Sequence, residues 1–236
     1  MSIWVRLGDF LSRTSASALS GIVEGLRTVF EGDPQLRRRV AFSVAMIALS
    51  AKMAKADGVV TQDEIRAFHE IFAVPQSESR NVARLYDLAK GDVAGFEAYA
   101  ERMARLCGSG ARNCAVLEDI LDGLFHIAKA DGVLHERELA FLQRVSRIFE
   151  IDEDHFDRIL ARHANPDGVD PYLVLGLPQD APFEAVRRQY RRLVAENHPD
   201  VLIGRGVPEE FVAIANDRIA ALNAAYAQIE RTRQRA

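Results

Sequence analysis

Three features of the sequence predict an all-α fold. Apolar residues recur at helical rather than strand spacing, a six-residue helix-to-helix corner occurs twice, and a proline-containing break separates two amphipathic segments near the C-terminus. With 236 residues the chain is long enough to bury a core and to form one or two domains. Hydrophobic residues make up 48% and charged residues 27%, the composition of a folded globular protein. The net charge of -4 supplies no broad basic surface, so no nucleic-acid partner is expected.

The first segment, residues 1–33, places Ile3, Leu7, Phe10 and Leu11 at helical spacing, with Trp4 and Arg6 nearby and Ile22, Leu26, Val29 and Phe30 further on. It reads as an amphipathic arm packed on its own protein, with peripheral contact at the inner membrane surface as the alternative. It lacks the pattern of a secretory signal, and no run reaches the roughly 18 apolar residues a spanning helix needs. A cytoplasmic location is therefore expected.

Residues 34–165 are expected to form a helical bundle. Val40, Val44, Ile47 and Ala51 follow one face and Phe42, Met46, Leu49 and Met53 another, so this helix is apolar nearly all round and belongs at the centre. Narrower stripes follow at Ile65, Phe68 and Phe72, at Val82, Leu85, Tyr86 and Ala89, and at Phe96, Tyr99, Ala100 and Met103. A second long apolar helix carries Val116, Ile120, Leu124, Ile127 and Ala128, with Leu139, Leu142 and Val145 behind it. Cys107 and Cys114 flank a Gly-Ser-Gly turn; two cysteines make neither a disulfide framework nor a zinc site, and they are expected as reduced structural thiols.

The internal repeat lies within this bundle. Residues 54–59, Ala-Lys-Ala-Asp-Gly-Val, recur at residues 128–133, and Glu64 and Glu138 stand at the same offset from each copy. Glycine suits the left-handed residue after a helix, and the Thr61 to Glu64 spacing is that of a capping box, with His135 replacing the cap in the second copy. An Asp-Gly with a Glu six residues on also has the form of half a calcium loop, which makes Asp57, Glu64, Asp131 and Glu138 weak metal candidates. Met53 and Lys55, and Ile127 and Lys129, stand where the first oxygen ligands would be needed, so no metal is expected. These corners between long apolar helices resemble the TerB-like, tellurite-resistance-associated domain, over roughly residues 35–163. That resemblance implies an α-helical fold with an interaction role and supplies no catalytic residue.

Residues 165–168, Asn-Pro-Asp-Gly, form a turn-rich break, and residues 166–236 are expected to be a separate unit. A short apolar element at residues 171–177 precedes helix start signals at residues 181–184. The helix that follows has a stripe of Val186, Leu193 and Val194, edged by Phe183 and Tyr190, while Arg187, Arg188, Arg191 and Arg192 project elsewhere. Pro199 restricts its own φ and that of His198, so the helix is expected to stop before His198-Pro199-Asp200, with a loop from Val201 to Pro208 beyond. Phe211, Ile214, Ile219, Leu222, Tyr226 and Ile229 mark a second long helix, antiparallel to the first, with the turn exposed at the tip.

Asp170-Pro171-Tyr172 with Leu173 and Leu175, the Arg-Gln-Tyr-Arg-Arg-Leu run before His198-Pro199-Asp200, and Asn223-Ala224-Ala225-Tyr226 after it together resemble a J domain spanning residues 170–233. A TerB-like domain followed by a C-terminal J domain resembles the DjlA-type co-chaperones, which typically begin with a membrane-spanning helix not evident here. The resemblance implies stimulation of ATP hydrolysis by a DnaK-type chaperone, which itself binds the ATP; this chain would need no cofactor. It implies that His198, Pro199 and Asp200 form the activating turn and that Arg187, Arg188, Tyr190, Arg191 and Arg192 lie on the docking helix. The helical bundle, having no reactive constellation of its own, is expected to recruit a client or partner or to localise the J-like unit. Asn197 stands where an aromatic usually precedes the His and Val201 where a Lys usually follows the Asp, which is expected to weaken core packing or partner attraction. An enzyme is not expected, since no nucleophile, phosphate-cradling loop or metal cluster accompanies His198 and Asp200. The alternative is an interaction scaffold with an inactive J-like domain.

Overall fold

A computed structural model describes residues 34–57, 79–91, 95–105, 112–130, 132–164 and 168–235. No strand occurs among them. Helix α1 (Pro34–Asp57) is the axis of the bundle, and α2 (Ser79–Gly91), α3 (Phe96–Ala104), α4 (Ala115–Ala128) and α5 (Glu136–Ile148) all pack against it. The two apolar faces expected on α1 are both fully covered, from Val40 to Ala54. The serines within that stretch are satisfied locally: the Ser43 hydroxyl donates to the Arg39 carbonyl at 3.1 Å and Ser50 to Met46 at 2.6 Å.

Helix α6 (Glu153–His163) closes the bundle. Its N-cap Asp152 accepts from the His155 amide at 2.9 Å, and Asn113 clasps the same residue from the α3–α4 connection, its Nδ2 donating to Asp152 Oδ2 at 2.5 Å and its Oδ1 accepting from the Asp152 amide at 2.9 Å. The second repeat corner is as expected: Gly132 sits at φ 89° and the Glu138 carboxylate accepts from the His135 amide at 2.9 Å. Glu138 is thereby used as a buried cap at the start of α5. Glu64, Asp131, the side chain of Asp57 and the N-terminal segment lie outside the described residues. Cys114 differs from expectation, because it is disulfide-bonded rather than a free thiol.

The C-terminal region begins with a single turn, α7 (Pro171–Val174), capped by Asp170, which accepts from the Tyr172 amide at 2.9 Å. Helices α8 (Phe183–Glu196) and α10 (Val212–Arg235) form the antiparallel hairpin. The stretch after the His-Pro-Asp turn is not the loop expected but a short helix, α9 (Pro199–Arg205), followed by a 3-10 turn at Glu209–Phe211. The reason is readable in its ends: proline at N1 has the φ a helix needs, Asp200 and Arg205 match the dipole, and Gly206 takes the left-handed C-cap at φ 104°.

Packing does not divide at the turn-rich break near residue 165. One small core holds the open end of the hairpin, with Val174, Leu175, Ala181, Val186, Leu222, Ala225 and Ile229, and it includes Ala161 of α6. The turn end of the hairpin belongs to the bundle core instead: Leu202, Val207, Phe211, Ile214 and Ala215 are buried together with α1 and α4. Phe211 meets Phe42 edge to face at 4.8 Å. Gly123 of α4 permits this approach, since a Cβ there would fall 2.7 Å from Met46 and 2.8 Å from Ile214.

Candidate functional site

Helix α8 ends at Glu196 because the peptide before a proline cannot remain helical, and Asn197 serves as its C-cap. His198 is extended (φ -63°, ψ 139°) and becomes the N-cap of α9, its Nδ1 accepting from the Asp200 amide at 3.3 Å. The Asp200 carboxylate lies 3.5 Å from the same nitrogen. Both side chains remain open to solvent, His198 at 55% and Asp200 at 85% exposure. Arg205 closes the back of the corner by donating to the Glu196 carbonyl at 3.0 Å. The product is a stiff turn that presents an imidazole and a carboxylate outward.

The residues of α8 separate into two roles. Arg187 and Arg192 make exposed pairs with Glu184 (3.4 Å) and Glu196 (3.8 Å), contacts worth no more than about 0.5 kcal/mol each. Arg188 and Arg191 are exposed, and no carboxylate among the described residues pairs with them. Tyr190 instead faces the hairpin, its ring stacked 4.4 Å from that of Tyr226 and its hydroxyl donating to Asn223 Oδ1 at 2.8 Å. His198, Pro199 and Asp200 thus sit together at the tip, the arginines line the adjoining helix, and Tyr190 fixes that helix to α10.

Beneath the turn lies a buried polar junction that periodicity alone did not single out. Arg218 of α10 donates from Nε to Asp122 Oδ2 (2.8 Å) and from Nη1 to Asp119 Oδ1 (2.8 Å) and Asn197 Oδ1 (2.7 Å). Asp122 Oδ1 also accepts from Arg162 Nη2 and His163 Nε2, both at 3.0 Å. Burial opposes ionisation of Asp122, but Arg218, Arg162 and His163 outweigh it and hold its carboxyl well below the usual range. Burial raises Asp119, with Arg218 only partly offsetting the effect. Burial also pushes His163 down against the pull of Asp122, so the neutral ring donates through Nε2. Asn197 is tied into this junction: its carboxamide accepts from Arg218 and donates to the Leu193 carbonyl at 2.7 Å. Val201 is 39% exposed and takes no part in the core. The signal was present in the sequence as two acids, Asp119 and Asp122, inside an apolar helix and an arginine midway between Ile214 and Leu222 on an apolar stripe.

Fold and site together define a class: an all-helical protein whose bundle carries a C-terminal hairpin with an exposed His-Pro-Asp tip. The family model of tellurite resistance protein TerB matches residues 43–161, half of the chain, and the chain belongs to that family. It is also similar to proteins named co-chaperone protein DjlA. That of Photobacterium profundum is 28% identical over 223 residues, 82% of this chain and 78% of the relative. Those of Coxiella burnetii (27% over 201 residues, 77% and 73%) and Shewanella oneidensis (28% over 221 residues, 86% and 81%) are comparable. No solved structure matches the chain. The likeness to DjlA-type proteins thus extends over most of the sequence. No helix among the described residues is long and apolar enough to cross a membrane.

Proposed function

We propose that this protein is a co-chaperone of a DnaK-type chaperone, and that its C-terminal hairpin acts as a J domain that stimulates the partner's ATP hydrolysis. The observation that carries this reading is the rigid, exposed His198-Pro199-Asp200 corner directly beyond a helix with solvent-facing Arg188 and Arg191. The DjlA co-chaperones to which the chain is similar support it.

The residues divide the task by their chemistry. The α8 arginines steer the hairpin onto an acidic surface and bond carboxylates in pairs, while Tyr190 keeps α8 seated on α10. Asp200, uncovered at the first turn of α9, accepts from a partner guanidinium, and His198 holds the turn and offers its outer face to the partner. ATP binding and hydrolysis belong to the chaperone, so no cofactor is assigned to this chain and it is not itself an enzyme. The TerB-family bundle recruits a client or partner.

Single-turnover ATP hydrolysis by a DnaK-type chaperone, with wild-type protein and with His198→Gln or Asp200→Asn, tests the reading. Wild type accelerates hydrolysis and both variants lose most of that effect. Equal rates with all three, or no acceleration by wild type, would leave the hairpin as an interaction scaffold.

A further inference from the structure

We propose that Arg218 is a positioning residue for the His-Pro-Asp turn, and that through it the helical bundle forms part of the activating apparatus instead of serving only as a recruiting appendage. This rests on the co-chaperone reading above.

The polar contacts run without interruption from the bundle to the turn. Asp119 and Asp122 are fixed on α4, and the planar guanidinium of Arg218 spans both of them and the Asn197 carboxamide with two of its nitrogens. Asn197 is held from the other side by its own bond to the Leu193 carbonyl. The next residue is His198, and Pro199 fixes the φ after that. On its far side the turn continues into α9, whose Leu202 is buried in the bundle core with Val207. The turn is therefore anchored to the bundle twice, by a polar contact entering it and an apolar contact leaving it.

A gain in stability does not account for this junction. Burying an ion pair removes both charges from water, and an apolar set of similar volume commonly does as well or better. Here Asp119 Oδ2 and Arg218 Nη2 also have no hydrogen-bond partner among the described residues. What the fork supplies is direction, because an arginine bonded to three oxygens has one orientation, and that orientation sets where α8 ends and His198 begins.

The test uses the full chain, titrated into single-turnover hydrolysis by a DnaK-type chaperone. Asn197→Ala cuts the link to the turn while leaving the Arg218 pairs with Asp119 and Asp122 in place, so the chain stays folded, its thermal midpoint lower by about 3–12 °C. Maximal stimulation is expected to fall at least about tenfold, within the roughly hundredfold that about 1 Å of misplacement can cost. The half-maximal concentration, set by the arginines of α8, stays within about twofold. Arg218→Lys, which keeps the charge but cannot span three acceptors, is expected to show the same split. Absence of stimulation by wild type refutes the co-chaperone reading itself. Stimulation by wild type with an undiminished maximum for Asn197→Ala, or a change confined to the half-maximal concentration, overturns the positioning role alone.

Discussion

Replacing Phe211 with alanine should destabilise the whole molecule, although the residue lies well beyond the turn-rich break in the sequence. Its ring is fully buried in the bundle core and meets Phe42 edge to face at 4.8 Å. Truncating a buried phenylalanine costs about 3–5 kcal/mol through lost transfer energy and the cavity left behind, and an edge-to-face pair contributes about 0.5–1.5 kcal/mol beyond area alone. In a chain of this size each kcal/mol moves the melting midpoint by about 2–4 °C, so Phe211→Ala should lower it by about 6–20 °C. Far-UV circular dichroism during thermal and urea unfolding reads the effect. One cooperative transition is expected in both proteins, displaced as a unit. Two transitions in the wild type with only one responding, or a loss under about 1 kcal/mol, would refute the shared core.

Asp122→Asn should cost about 3–5 kcal/mol, because it removes the carboxylate on which Arg218, Arg162 and His163 converge. The folded pKa of Asp122 lies well below its ordinary 3.8, so its contribution is complete above that value and is lost as the pH falls through the folded value. Asp119, shifted the other way, gains from protonation and partly offsets that loss. Wild type should accordingly lose stability at acid pH more steeply than Asp122→Asn in urea titrations, and parallel curves would contradict the assignment. Asp152→Ala should cost about 1 kcal/mol by removing the α6 cap and the Asn113 clasp, a figure kept small because the carboxylate is nearly half exposed. Burial opposes ionisation of Asp152, but the bonds from Asn113 and His155 together outweigh it and lower its pKa to about 2, so its contribution should vanish between pH 3.8 and that value; an unchanged melting midpoint would contradict the cap. Arg188→Glu with Arg191→Glu should raise the half-maximal concentration for chaperone stimulation about tenfold and make it less salt-sensitive, leaving the maximal rate nearly intact. A collapse of the maximal rate would place these arginines in the activating step.

Much of the fold was legible because periodicity reports burial directly. The all-round apolar pattern from Val40 to Met53 specified a central helix, and Pro199 specified the end of α8. The repeat corner was readable through Gly132, whose left-handed backbone no other residue takes as cheaply. Helix α9 is not legible locally, because Pro199, Gly204, Gly206 and Pro208 together read as a loop unless Pro199 and Gly206 are taken as the two ends of a helix. The turn residues and the arginines were legible as a pattern, but the inward face of Tyr190 depended on Tyr226 and Asn223, which lie a helix away. The Arg218 junction was least accessible: its members are nearly a hundred positions apart, and no local rule pairs Asp119 with Asn197. The packing of Leu202 and Phe211 into the bundle is equally non-local, so a break at residues 165–168 in the sequence is not a break in the core.

The central claim is that the exposed turn drives a partner's chemistry, and Asp200 is its least covered group. The most direct measurement is the single-turnover rate of ATP hydrolysis by a DnaK-type chaperone at saturating co-chaperone, comparing wild type with Asp200→Asn, a change that leaves the fold intact because the carboxylate is 85% exposed. Acceleration by wild type that falls to near the unstimulated rate with Asp200→Asn is the predicted result; equal acceleration by the two proteins would contradict the account.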